Sequence, residues 1–515
     1  MPEPPKTWFQ AAVYLSLAAL AAKGMSALYK IPYQNITGDT GFYVYQQVYP
    51  LYGAALVLGT YGFPLVIAKA VASHEEEGTL RQHLSFYLLS MFIFFSLLGT
   101  SVIAGAPLLA SLMGDEQLTG AIRWMGAPFF LVPFFAAARG YYQGKQTAGP
   151  AAVSHVAEQF VRVLVILAAA WTAMQTAGVY EAGRSAGIGA FAGGVAGLFV
   201  LWLFVKKEPY WYKPSWQLPS GWPLLIGSML KQGLFVSASA MILVLFQVVD
   251  AFTIVRQLPD REGAAGLKGI YDRSWPLIQF GAVVTTVFSY AVIPSVTKAW
   301  YTGRRAEAAE EATKAMKVCI VFGGAAAVGM AALMPSVNVM MFTDGAGTEA
   351  LQISAAVVLT GSVFMTGAAL MYAIGREGAA FLILAGAAGI KAAGNLLLIP
   401  AYGISGAAAA SAVAGFAAAL TAFIYLAGCG CFRPFSVYFW LKTGAAFAVM
   451  AAFVLLLQEG ILFFLDERSG AAASTLFLGS AGALLFIILI WRMQVFTEKE
   501  WNELPKVHKI LPYRH

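Results

Sequence analysis

The chain has 515 residues, of which 59% are hydrophobic and 11% charged, and its mean hydropathy is +0.69. A soluble globular chain carries about 25% charge, so a soluble enzyme and a disordered chain are both excluded. The net charge of +7 reads as a topology signal, not a nucleic-acid signal, as the loops show below.

From the N-terminus, Met1-Pro2-Glu3-Pro4-Pro5-Lys6 leads straight into an apolar run too long for the core of a cleavable signal. Runs long enough to span a bilayer, about 20 residues each, follow at 8–30, 42–70, 83–112, 118–139, 149–172, 185–205, 222–255, 274–298, 313–335, 350–373, 378–400, 404–427, 436–458 and 472–493. They predict an all-α integral membrane protein with about fourteen transmembrane helices. The runs are continuous, whereas the strands of a membrane barrel alternate polar and apolar residues. The second and seventh runs are long, which predicts tilt or an interfacial extension. No hydrophilic stretch reaches about 50 residues, so any chemistry lies in helices or short loops. Cys319, Cys429 and Cys431 are too few for a disulfide framework and read as free thiols.

Lysine and arginine in the connections set the orientation. The N-terminus, every second loop and the C-terminus together hold 21 of them, the opposite loops 7, and the spans five: Lys23, Arg123, Arg162, Lys231 and Lys391. Both termini are therefore expected in the cytoplasm. Tyr45-Gln46-Gln47-Val48-Tyr49-Pro50-Leu51 and Tyr271-Asp272-Arg273-Ser274-Trp275-Pro276-Leu277 share the pattern Tyr-x-x-x-aromatic-Pro-Leu. Three further matches run in the same order: Pro64 with Lys69 and Pro294 with Lys298; Gly144-Lys145 and Gly375-Arg376; Val195-Ala196-Gly197 and Val413-Ala414-Gly415. They predict two six-helix lobes related by a pseudo-two-fold axis along the membrane normal. The expected organisation is an N-terminal lobe (1–205), a linker (206–221), a C-terminal lobe (222–430), two additional helices (431–493) and a cytoplasmic tail (494–515).

Ionisable groups at membrane depth are expensive and mark function by default. Ser16, Lys23, Ser26 and Lys30 fall within about an 80° arc of span one, and Ser228, Lys231, Gln232, Ser239, Gln247 and Asp250 within about 160° of span seven. These stripes open the two halves and imply a water-filled cavity between them. Lys23, Lys231 and Arg273 are its candidate cations, set against snorkelling for the lysines and an ordinary loop position for Arg273. Ser26, Lys30, Gln47 and Asp272 are its candidate polar lining. Glu158 and Arg162 stand at i, i+4 and read as a self-neutralised structural pair, with a proton relay as the alternative. Asp250 and Asn395 are candidates for ion coupling; the competing reading of Asn395 is a hydrogen bond to a neighbouring helix. Five bases against two acids, Glu158 and Asp250, suit an anionic substrate such as a phosphate or pyrophosphate. The glycine- and alanine-rich stretch around Gly193-Gly194 reads as close helix packing. No nucleotide-binding loop is present.

At Lys30-Ile31-Pro32-Tyr33-Gln34-Asn35, Gly38-Asp39-Thr40-Gly41, Tyr45–Pro50, Tyr61-Gly62-Phe63-Pro64 and the tail Phe496-Thr497-Glu498-Lys499-Glu500, the sequence resembles the multidrug/oligosaccharidyl-lipid/polysaccharide exporter superfamily. The likeness is to its polysaccharide-transporter branch, which includes stage V sporulation protein B and the lipid II flippases. The resemblance implies alternating access between two lobes around a cationic cavity. It also implies a lipid-tail groove at helices thirteen and fourteen, and headgroup contacts from helices one, two and eight. Lys23 matches the helix-one position and Arg273 the helix-eight position, while Gly53 and Ala54 occupy the region of the helix-two arginine. The sodium site of some flippases implies roles for Asp250 and Asn395, with Ile399 where a further carboxylate is expected.

The leading expectation is a flippase, not an enzyme. It would move a polyprenyl-pyrophosphate-linked oligosaccharide or peptidoglycan precursor across the cell membrane without a cofactor, driven by Na+, H+ or the membrane potential. Its partners would be that substrate and the membrane lipids, with no nucleic acid, and it would act as a monomer. The alternatives are a drug/cation antiporter of the same fold and a membrane saccharide polymerase or ligase. The last calls for a sizeable outer loop with catalytic carboxylates or histidines, and the outer loops are short.

Overall fold

The computed structural model describes residues 24–25, 28–73, 77–145, 147, 149–206, 208, 215, 217–239, 241–260, 262–282, 285, 292–462 and 468–503. They form two compact units, Met1–Asp272 and Arg273–His515. The expected positions Lys23 and Ser26 lie outside the described residues.

The first unit starts with α1 (Lys30–Val57), which runs through a π-helical turn (Leu58–Gly62) into α2 (Phe63–Ser73). Gly38, at φ 67°, breaks α1 near its start; a side chain would be strained there. Next come α3 (Glu77–Ala104), α4 (Ala106–Met113), α5 (Thr119–Gly126) and α6 (Val132–Gly144). Proline enters α4 and α6 in the first turn, where its missing N–H costs nothing. The long helices α7 (Gly149–Thr176) and α8 (Val179–Val205) lie tightly together. A Cβ on Gly193 of α8 would stand 2.6 Å from the Glu158 carbonyl oxygen, so the glycines do set a close approach.

The seventh apolar run is not one long tilted helix. It forms α9 (Trp222–Ser239) and α10 (Ile242–Gln257), bent by 84° at the break. The Ser237 hydroxyl donates to Gly233 O at 2.7 Å, and such back-bonding bends helices. A short helix, α11 (Ala264–Asp272), closes the unit. Helices α9–α11 thus belong to the first compact unit, which ends at Asp272.

The second unit holds α12 (Ser274–Gly281), α13 (Ile293–Tyr301), α14 (Arg305–Phe342), α15 (Thr348–Ser354) and α16 (Ala356–Ala373). It continues with α17 (Glu377–Gly428), α18 (Val437–Leu462), α19 (Arg468–Arg492) and α20 (Glu498–Glu503). At 52 residues, α17 would measure roughly 78 Å if straight, well beyond a hydrocarbon core of about 30 Å. It breaks at Gly403, φ 57°. Its two limbs fold back on each other: a Cβ on Gly394 would stand 2.8 Å from Ala410 Cβ. The C-terminal helices are bonded to α14. Gln458 Nε2 donates to Ser336 Oγ at 2.8 Å, and Lys317 Nζ to Glu500 Oε2 at 2.6 Å.

Among the described residues ten helices are long and apolar enough to cross a membrane, or eleven if the bent pair is one span. The chain is an all-helical multi-pass membrane protein.

Candidate functional site: a buried cluster of cations and tyrosines

Helix α1 carries Tyr33, Tyr45, Tyr49 and Tyr52 along its buried side, with Tyr29 just before it. The i, i+4 and i+7 spacing of Tyr45, Tyr49 and Tyr52 puts three rings on one face. Tyr29 and Tyr45 bond through their hydroxyls. Ring centroids stand 4.7 Å apart for Tyr33–Tyr45 and 5.8 Å for Tyr45–Tyr49. Two cations are set into this wall. Lys30 is 0% exposed, with Nζ 3.7 Å from the centre of the Tyr49 ring. Arg162, on α7, is 1% exposed, with its guanidinium 5.0 Å from the Tyr52 ring and 5.6 Å from the Tyr29 ring. Desolvated cation–π contacts of this kind are worth about 2 kcal/mol. Phenol rings also hold a cation without neutralising it.

The expected Glu158–Arg162 pair does not form. Glu158 Oε2 accepts from Arg139 Nη2 at 2.6 Å, while Arg162 donates to the Tyr52 hydroxyl, which donates to Glu158 Oε1 at 3.4 Å. Spacing of i, i+4 shows which groups share a face, but the carboxylate meets a stronger bond across from α6. Arg139 itself, not one of the five bases that the sequence assigns to spans, lies inside α6 and is 3% exposed.

The other expected residues are placed as follows. Gln47 is buried and donates to Ala251 O at 2.6 Å. Asp250 accepts from the Tyr271 hydroxyl at 3.0 Å. Asp272 is salt-bridged to Lys268 at 2.5 Å, and lies within electrostatic reach of Lys30. Lys231 is exposed, its Nζ 5.9 Å from the Phe235 ring, so within its unit it does not join the cluster. In the second unit Arg273 is 0% exposed and grips Asp344 with two bonds, 2.7 and 3.0 Å, with Asn338 Oδ1 at 3.3 Å. Asn395 is buried on α17, in the second unit, whereas Asp250 belongs to the first. Beside it Lys391 donates to Ser411 Oγ at 2.6 Å, across the helical hairpin. Sequence reasoning missed the tyrosines, Arg139 and Lys268; the tyrosine spacing was the available signal. No group of three or more His, Cys, Asp or Glu that could hold a metal occurs among the described residues.

Seven buried ionisable groups of the first unit come close together along α1: Lys30, Arg139, Arg162 and Lys268 against Glu158, Asp250 and Asp272. That four-to-three balance is narrower than the sequence count, because of the five span bases only Arg162 belongs to the set, while Lys30, Arg139, Lys268 and Asp272 enter it. It remains on the positive side.

The pattern of the polysaccharide biosynthesis protein family runs through residues 9–300 of the chain. The chain belongs to that family. The uncharacterized membrane protein YabM of Bacillus subtilis (strain 168) is 32% identical, over 96% of this chain and 94% of its own length. Lipid II flippase MurJ of the same organism is 24% identical, over 93% of this chain and 94% of the relative. The fold matches a lipid II flippase MurJ structure in an inward closed conformation, with a TM-score of 0.69 and 14% identity, covering 95% of this chain and all of that one. The family lies in the multidrug/oligosaccharidyl-lipid/polysaccharide exporter superfamily, as the motifs led one to expect, and its members are transporters, not enzymes.

Proposed function

We propose that this transporter flips a polyprenyl-pyrophosphate-linked oligosaccharide or peptidoglycan precursor across the cell membrane by alternating access. The observation that carries the reading is the pair Lys30 and Arg162, buried cations set against tyrosine rings. A pyrophosphate entering such a cluster gains charge-assisted hydrogen bonds from both cations, each worth about 1.5–3 kcal/mol. The rings offer stacking faces to sugars. The second unit contributes an apolar cleft of about 210 Å3, lined by Ile320, Leu359, Val363, Phe416, Phe423 and Trp440 among others, which suits a lipid tail. On this reading the chain has fourteen spans. Two six-helix lobes carry the cycle, α18 and α19 are the additional pair, and both termini face the cytoplasm. Lys23 and Arg273 remain candidate headgroup residues on this reading. The drug/cation antiporter alternative calls for an excess of buried carboxylates, and the seven groups hold the opposite balance.

The test is reconstitution in liposomes with a fluorescent undecaprenyl-pyrophosphate-linked disaccharide, scored by chemical quenching of the outer leaflet. The protein should make the protected fraction accessible, and Lys30→Gln should slow it at least tenfold. No acceleration over empty liposomes would overturn the reading.

A further inference from the structure

Beside the cluster, on the α6 side of α7, the geometry points to a proton-binding site built from His155, Glu158 and Arg139, with Thr60 of the π-helical turn on its far side, through which the protein couples its cycle to a proton gradient. Coupling to substrate movement rests on the flippase reading; proton binding itself does not.

Four observations carry it. His155 is partly exposed, yet its Nδ1 is buried, has no hydrogen-bond partner, and stands 3.7 Å from Glu158 Oε2. That same oxygen is held by Arg139 at 2.6 Å. Next to the carboxylate lies a cavity of about 20 Å3 whose lining includes Tyr52, Gly59, Thr60, Arg139 and Glu158. On the same measure a water needs about 10–15 Å3 and two to four polar partners. Thr60 Oγ1 and Arg139 Nε, both buried and without protein partners, are there to supply them. The site therefore offers a proton acceptor near the surface, a carboxylate behind it and a water position beyond. The water position ends at the π-helical turn Leu58–Gly62, and π-turns in α-helices concentrate at functional sites.

The charged and titratable groups around His155 are Glu158 and Arg162 on its own helix, Arg139 from α6 and Tyr52 from α1. From α8 the packed residues at this level are Gly193 and Gly197, which bring no charge. One proton from solvent adds to the lone pair of the unprotonated ring nitrogen, giving a second N–H; no other covalent bond forms or breaks. The imidazolium then competes with Arg139 for Glu158 Oε2. Glu158 is tied to Tyr52, and Tyr52 to Arg162, so the shift reaches the cation–tyrosine cluster. Loss of the proton on the other side of the cycle restores the Arg139 bond.

The experiment has two arms on the full chain. In liposomes carrying the fluorescent undecaprenyl-pyrophosphate lipid, with the membrane potential clamped at zero, one pH unit across the membrane should bias distribution of the probe by up to about tenfold if one proton moves per cycle. His155→Gln should lose that bias, Thr60→Val should reduce it, and His83→Gln, on α3, should keep it. A wild-type bias in His155→Gln overturns the site and leaves the flippase reading standing. In detergent, 15N-histidine spectra of the wild type, with the His155 signals identified by their loss in His155→Gln, should show this imidazole gaining a proton between pH 8 and pH 5. A single protonation state across that range overturns the proposal even if the probe is never moved; a wild type that moves no probe at all overturns the flippase reading instead.

Discussion

Lys30, Gln47 and Asp272 were legible as polar groups that need partners, because a charged or amide side chain in an apolar run must find company, and all three are buried. The network around Glu158 was not. Its partner Arg139 comes from another helix, and no spacing along one helix reports that. The structure makes the Arg139–Glu158 bond a point of stability. Removing one member of a buried pair leaves the other uncompensated, at a cost of about 3–5 kcal/mol. Glu158→Ala should therefore lower the unfolding temperature in detergent markedly more than His83→Gln; equal values would contradict the network. Asp344 gives a pH-dependent case outside the spans. Hydrogen bonds from Arg273 hold its carboxyl below the ordinary carboxylate range, against an opposing effect of burial. Because the folded value is lowered, the stabilisation is present above the unfolded value and is lost as pH falls through the folded one. The stability gap between wild type and Asp344→Asn should thus be largest near neutral pH and shrink below about pH 4. Asp344 is half exposed, so the gap is small. A gap that widens on acidification would contradict the pairing.

Among the elements, existence was easier to read than shape. Apolar runs reported where helices lie, but α1, α9–α10 and α17 are bent or broken by devices that hydropathy does not register. At Gly38 and Gly403 the device is a positive-φ glycine, and at α9–α10 the chain turns by 84° after Ser237. The long second run is likewise interrupted, by the π-helical turn between α1 and α2. The packing role expected of Gly193 is visible as the close approach of α8 to α7. Gly193→Ala should push the two helices apart and cost about 1–3 kcal/mol. Gly227→Ala on α9, where a Cβ meets nothing within 4 Å, should be neutral or slightly stabilising by comparison. If Gly193→Ala unfolds no earlier than Gly227→Ala, the α7–α8 contact is looser than described.

For the molecule as a whole, the proposed topology, with both termini and the turn at Thr302 facing the cytoplasm, rests on the charge asymmetry alone. Arg139 and Lys317 on one side and Lys268 on the other turn out to be buried helix residues, and Arg273 is buried at the N-cap of α12. Setting them aside leaves the asymmetry in place. A cysteine introduced at Thr302 should resist an impermeant reagent added to intact cells, and labelling there would invert the arrangement. The family, the transporter class and the multi-pass fold were readable from composition and motifs, since these depend on many residues at once. Which cations are buried against the tyrosine rings depends on a few contacts between helices, and only the folded chain displays those. The central claim is that Lys30 and Arg162 form a binding site for a lipid-borne pyrophosphate, and native mass spectrometry of the detergent-solubilised protein tests it most directly. Wild type should bind undecaprenyl pyrophosphate in preference to undecaprenol, and Lys30→Gln should weaken that binding by about tenfold to a hundredfold while leaving undecaprenol unchanged. Equal binding of the two lipids by wild type, or no loss in Lys30→Gln, would contradict the account.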